Sequence, residues 1–309
     1  MKKKVLKNLF AIFILVVLVY LVDVEQLWGA LSQLTVEAVL YLGLLSVALI
    51  FVSALKWKFF LDAFGKAASV VRLFNLYLVG YFVNLLVPSY VGGDIARSWY
   101  IGKEVGQHNA FSATILERYT GFVAMLTLAL FFMWHVELVT VEIKLAVLLI
   151  SSGLVVITFL ALSEKALLWC GRIKKLQPIL VHIKKIQEGF HLVRKDRKLL
   201  VKTLALSFVF HSLTVVNTVA AAYAVGWYDP PLWELFVVLP LILLIGAIPV
   251  APAGLGIQEG AFLFFLTGIG ATPAQALGVG IVLRAKLYVL AIIGGFVWLG
   301  VKKDGTQKS

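Results

Sequence analysis

Arg118 and Arg284 stand inside long apolar runs, "ILERYTGFVAML" and "GIVLRAKLYVLA", and each follows a proline–glycine–acid stretch at a similar interval. The earlier stretch, "PSYVGGDIAR" at 88–97, carries Asp94 and Arg97, and the later one, "PAGLGIQE" at 252–259, ends in Glu259. Pro88-x-x-x-Gly92 matches Pro252-x-x-x-Gly256, and the arginines come 26 residues after Gly92 and 28 after Gly256. A guanidinium presents its donors in a planar fork that fits a carboxylate or a phosphate. Asp94 and Glu259 fall where short helices would start, beside free backbone N–H groups. Gly92, Gly93, Gly254 and Gly256 let backbone approach closely and adopt φ > 0. Two such helix ends and two arginines, converging, make an anion site, most naturally for a phosphate. Arg118 and Arg284 then hold the anion, while Asp94 and Glu259 orient them and keep the empty site neutral. The blander alternative is that the acids pair with the arginines only to lock the local structure. Arg97 sits near the path, and Glu117 is either a site residue or an interhelical tether.

The surroundings are those of a membrane. The 309 residues are 61% hydrophobic and only 14% charged, with a mean hydropathy of +0.97. A soluble chain carries about 25% charged residues, so the composition predicts an all-α polytopic membrane protein. A charge at the centre of a membrane helix costs about 2.5–3.5 kcal/mol on insertion scales. The embedded charges Asp94, Arg97, Lys103, Glu104, Glu117, Arg118, Glu259, Arg284 and Lys286 therefore need partners or water.

Six stretches are long enough to cross the hydrocarbon, at roughly 5–22, 38–61, 109–134, 143–162, 201–225 and 274–300. The first follows Lys2–Lys4 without a small-residue cleavage site and is expected to be a retained signal anchor. Lysine and arginine mark the cytoplasmic side. They collect at the N-terminus, after the second span, in the tail, and in 163–202, where eleven basic residues face Glu164, Glu188 and Asp196. The intervening connections are acidic, with Glu25, Glu37, Glu137, Glu142, Asp229 and Glu234. Both termini are thus expected in the cytoplasm of a cell (inner or plasma) membrane protein.

Parity then requires two more excursions. Residues 70–107 must leave the cytoplasmic side and return, and 233–270 must dip in from outside and come back. The arm 72–87 would be about 24 Å of helix, short of a full crossing. Two re-entrant helical hairpins follow, with tips at Pro88–Gly93 and at 248–260. The single membrane domain 1–309 then reads as an inverted repeat, 1–135 and 143–300, with the cytoplasmic basic amphipathic linker 163–202 inside the second half. Inverted repeats with broken helices are the build of secondary transporters.

Several features take plainer readings. Lys56 and Lys58 around Trp57 read as snorkelling and aromatic-belt anchors. His211 and Asn217 read as interhelical hydrogen-bond glue. Ile183, Ile186, Phe190 and Val193 oppose Lys184, Lys185, Arg194 and Lys195, the pattern of an interfacial helix on an anionic leaflet. Gly65-Lys66-Ala67 lacks the rest of a phosphate-binding loop. No His/Cys/Glu cluster has metal-ligand spacing, and no nucleophile elbow occurs. Neither catalysis, a cofactor nor a nucleic-acid partner is expected.

"GYFVNLLVPSYVGGDIAR", "ILERYTG", "IPVAPAGLGIQEGAF" and "VLRA" resemble, in order, the lysylphosphatidylglycerol synthase transmembrane-domain family, also called flippase-like or UPF0104. Gln258 stands where that pattern more often has arginine. The resemblance implies a lipid flippase-like unit, which in some members is fused to a soluble aminoacyl-transferase domain. That domain is missing from this sequence, which argues against a synthase. The expected function is movement of an anionic or phosphate-bearing lipid, a phospholipid or a polyprenyl-phosphate-linked glycan, between leaflets. A glycosyltransferase or lipid synthase is the expected kind of partner. The alternatives are a secondary transporter of a small soluble anion and a non-transporting accessory subunit of a membrane glycosyltransferase.

Overall fold

A computed structural model describes residues 24–65, 68–87, 91–163, 195–248 and 254–306, with isolated positions at 16–18, 20, 22, 187 and 190. Most of the expected first span lies outside the described residues. So do Pro88, Pro252 and the expected interfacial helix, apart from Phe190 and Lys195. Every regular element among the described residues is a helix. In chain order these are α1 Val24–Leu31, α2 Val36–Ala63, α3 Val70–Leu86, α4 Val91–Val105 and α5 Gln107–Phe132. They continue with α6 Val141–Leu162, α7 Arg197–Ala224, α8 Leu232–Gly246, α9 Ile257–Thr267 and α10 Pro273–Thr306.

Local chemistry sets the boundaries. Thr35, Ser69 and Asp196 each accept a hydrogen bond from the backbone N–H three residues on, capping α2, α3 and α7. Among the described residues five helices are long and apolar enough to cross a membrane: Val36–Ala63, Gln107–Phe132, Val141–Phe159, Arg197–Ala224 and Pro273–Gly300. They coincide with five of the six expected stretches. Helices α3, α8 and α9 are apolar but shorter. At 1.5 Å per residue α8 is about 22 Å long and α9 about 16 Å. Outward-facing Leu40, Leu44, Val47 and Phe51 on α2, and Leu149, Val156 and Phe159 on α6, are half exposed or more. Such surfaces are stable only against hydrocarbon.

Each short helix pair packs back to back, α3 on α4 and α8 on α9. Two separate cores hold them. One gathers Trp57, Phe60, Leu73, Leu76, Ile101, Ala113 and Leu116 from α2, α3, α4 and the N-terminal part of α5. The other gathers Ala129, Met133, Val215, Leu235, Ile242, Phe262 and Val279 from the C-terminal part of α5, α7, α8, α9 and α10. They sit at opposite ends of α5, and Glu117 and Arg118 lie between them.

The glycines of the first pair act differently from expectation. Gly92 and Gly93 are inside α4, buried and helical, and have no positive φ. A Cβ on Gly93 would run into the Gly80 carbonyl of α3, so the pair serves close helix approach and not a flexible turn. Asn84 completes the contact by accepting the Gly93 N–H at 2.6 Å. Gly254 and Gly256, by contrast, have φ of +65° and +82°, the region glycine alone enters freely.

Candidate functional site

Helix α4 begins three residues before Asp94, so the carboxylate projects from its first turn, where N–H groups are unpaired and negative charge is favoured. Asp94 accepts from Arg97 Nε, one helical turn on, at 3.0 Å. It also takes a two-point fork from Arg118 of α5, with Nε to Oδ2 at 2.8 Å and Nη2 to Oδ1 at 2.9 Å. Arg97 is 1% exposed and bridges two acids, because its Nη2 donates to Glu117 Oε2 at 2.5 Å. Its guanidinium sits in the corner of two perpendicular rings, 4.4 Å from the Trp57 ring centre and 4.2 Å from that of Tyr77. Desolvated cation–π contacts of this kind add to the ion pairs. Glu117 Oε1 is 3.9 Å from Lys56 Nζ, which donates to Ser207 Oγ of α7 at 3.1 Å.

The result is an alternating chain, Arg118–Asp94–Arg97–Glu117–Lys56, across three helices. Four members are mostly enclosed. Arg118 is different, with a side chain 53% exposed against 16% for Asp94. It stands at the open end of the chain.

The second constellation is closed. Glu259 lies in the first turn of α9, where Oε2 accepts the Gly256 N–H at 2.7 Å and Oε1 accepts Arg284 Nε at 2.5 Å. Arg284 Nη2 also donates to Gln258 Oε1 at 3.1 Å. Both charged side chains are buried, at 6% and 2% exposed. The expected pairing of each arginine with the acid that precedes it is therefore present twice, once open and once sealed. The ion pairs of the two constellations have no residue in common.

Other embedded charges take ordinary roles. Glu104 pairs with Arg72 at 3.0 Å on the surface, and Lys103 lies over the Trp99 ring. Lys286 donates to Asn217 Oδ1 at 2.6 Å, tying α10 to α7. Glu117 ties α5 to α4 through Arg97.

Lys56 corrects the sequence reading. It is 3% exposed and Trp57 is fully buried, so neither is an interfacial anchor. Only Lys58 matches that description, half-buried and paired with Asp62 at 2.8 Å. The missed signal was the spacing Ser46, Ile50, Ser53, Trp57, Phe60, an inward face with small residues that puts Lys56 beside it. In the first constellation three basic side chains, Lys56, Arg97 and Arg118, meet two carboxylates, Asp94 and Glu117, among the described residues.

A UPF0104 membrane protein of Pyrococcus horikoshii is 22% identical over 296 residues, covering 86% of this chain and 88% of its own. One from Methanothermobacter thermautotrophicus is 22% identical over 245 residues, 70% of each chain. A third, from Methanocaldococcus jannaschii, is 29% identical over 133 residues, 42% of this chain and 39% of its own. No solved structure matches the chain at a significant level. The family described as the lysylphosphatidylglycerol synthase TM region matches residues 5–295, nearly the whole sequence, and the chain belongs to that family.

Proposed function

We propose that this protein moves an anionic or phosphate-bearing lipid between the leaflets of a cell membrane, with Arg118 as the head-group contact. The observation that carries this reading is the half-exposed Arg118 fork, closed by a carboxylate that a second arginine also holds. A phosphate oxygen presents the same acceptor geometry as Asp94. It can take one limb of the fork while Asp94 stays neutralised by Arg97.

Arg284 and Glu259 serve as the lock of the second short pair. Gly254 and Gly256 shape its cap, and Gly92 and Gly93 fix α4 against α3. The short pairs α3–α4 and α8–α9 are the two re-entrant hairpins of an inverted repeat, with both termini cytoplasmic. An apolar recess of about 300 Å³, lined by Phe82, Ile292, Gly295, Phe296, Trp298 and Leu299, lies between α3 and α10. Its wholly apolar lining suits a hydrocarbon tail, which a soluble anion would not need. The protein does no covalent chemistry in this scheme.

The test is reconstitution into vesicles with fluorescent phosphatidylglycerol or a labelled polyprenyl phosphate, followed by outer-leaflet quenching. Wild-type protein should raise the inaccessible fraction's exchange rate well above empty vesicles, and Arg118→Gln should not. Equal exchange by both proteins would overturn the assignment.

A further inference from the structure

Lys56 is the one member of the charged chain that head-group contact leaves without a task. Helix α2 packs most extensively on α7, which brings Lys56 Nζ to Ser207 Oγ at 3.1 Å. Its nearest carboxylate, Glu117, lies at 3.9 Å and is already held by Arg97 at 2.5 Å. The other charged or titratable groups that face it are Arg97 of α4, Arg118 of α5 and His211 of α7. Nζ and His211 Nε2 lie 3.5 Å and 3.7 Å from the point where a Cβ on Gly121 would stand, so both face one spot on bare α5 backbone.

Charge counting makes this placement consequential. Three cations, Lys56, Arg97 and Arg118, face two carboxylates, Asp94 and Glu117, among the described residues. One positive charge is left over in a largely enclosed site, and an uncompensated charge there is expensive. Arginine does not give up its proton in proteins, whereas lysine does so readily when buried. The surplus can therefore be removed only at Lys56, or cancelled by an anion arriving at Arg118.

We propose that Lys56 is a proton-carrying residue coupled to head-group occupancy. This rests on Arg118 being the head-group contact. With the site empty, Lys56 is the neutral amine and the chain is balanced. When a singly charged phosphodiester binds at Arg118, Nζ takes a proton from water and the chain is balanced again. When the lipid leaves, the N–H bond breaks and the proton returns to water. Ser207 suits both states: its hydroxyl donates to the Thr203 carbonyl at 2.8 Å and accepts from the ammonium, and on rotation it can donate to the amine. One proton then accompanies each lipid charge, so transport responds to a pH gradient.

Calorimetric titration of dihexanoyl phosphatidylglycerol into the detergent-purified full chain, at one pH in two buffers of different ionisation enthalpy, tests this. Wild type should bind with net proton uptake approaching about one per lipid. Lys56→Arg, which keeps its charge but cannot shed a proton, should bind with none. Lys56→Gln should likewise show no uptake, and it serves if arginine does not fit. Binding without uptake in wild type, or unchanged uptake in the Lys56 variants, overturns the coupling while leaving Arg118 intact as the contact. Absence of binding by wild type, or binding unaffected by Arg118→Gln, overturns the head-group assignment and the coupling with it.

Discussion

Asp94 and Arg118, on separate helices and 24 residues apart, face each other through two parallel hydrogen bonds of 2.8 Å and 2.9 Å. A two-point contact of this kind fixes the relative rotation of α4 and α5 as well as their distance. It does so at the edge of a buried ion chain, where one partner remains accessible.

The two arginines should separate by phenotype. Arg118→Gln should abolish lipid exchange with a thermal midpoint close to wild type, since Asp94 keeps Arg97 and the lost side chain was half exposed. Arg284→Gln strands Glu259 in a buried site, a loss of about 3–5 kcal/mol, so it should lower the midpoint or the yield of folded protein. Thermal unfolding in detergent and the vesicle exchange assay decide this together. Equal destabilisation by both changes would contradict the open-and-sealed distinction.

Arg97 should be the least replaceable charge. Arg97→Lys retains one charge but cannot span Asp94 and Glu117 while also meeting the Trp57 and Tyr77 rings. Strong destabilisation is expected, on the scale of about 3–5 kcal/mol for a broken buried pair. A lysine variant as heat-stable as wild type would show that the bridge contributes little.

Gly93→Ala should force α3 and α4 apart, because its methyl group would meet the Gly80 carbonyl and the Asn84 amide. Overpacking of this sort costs about 1–3 kcal/mol. Gly92→Ala meets the Val87 side chain first, at 3.1 Å, and should be milder. Comparing the two unfolding midpoints checks the order.

Single cysteines in a Cys170→Ala background test the orientation. One at Asp229 should react with an impermeant maleimide added to intact cells, and one at Lys195 only after permeabilisation. External labelling at Lys195 would reverse the assigned sidedness and remove the basis for the inverted repeat.

The long helices were legible because twenty-odd apolar residues have few alternatives in water. The short helices were legible as apolar arms too brief to cross, and the acid–arginine pairs from the repeated order proline, glycine, acid, arginine. What escaped was rotation. Lys56 and Lys58 are two residues apart and both flank Trp57, yet one faces Ser207 and the other a surface aspartate. Only the packing of α2 on α7 separates them, and that depends on a partner about 150 residues away along the chain. Arg97 was hidden for the same reason, since its bridge to Glu117 needs α5 in register with α4.

The broadest contact of α3 is with α10, which follows it by nearly two hundred residues and is made much later. Gly294 meets the Leu78 carbonyl so closely that no side chain would fit there, and Trp298 Nε1 donates to Tyr100 OH at 2.5 Å. On a ribosome making the chain from its N-terminus, α3 and α4 would therefore wait beside the insertion machinery with one flank uncovered until α10 had emerged. Truncations that remove α10 should leave inserted helices that never close.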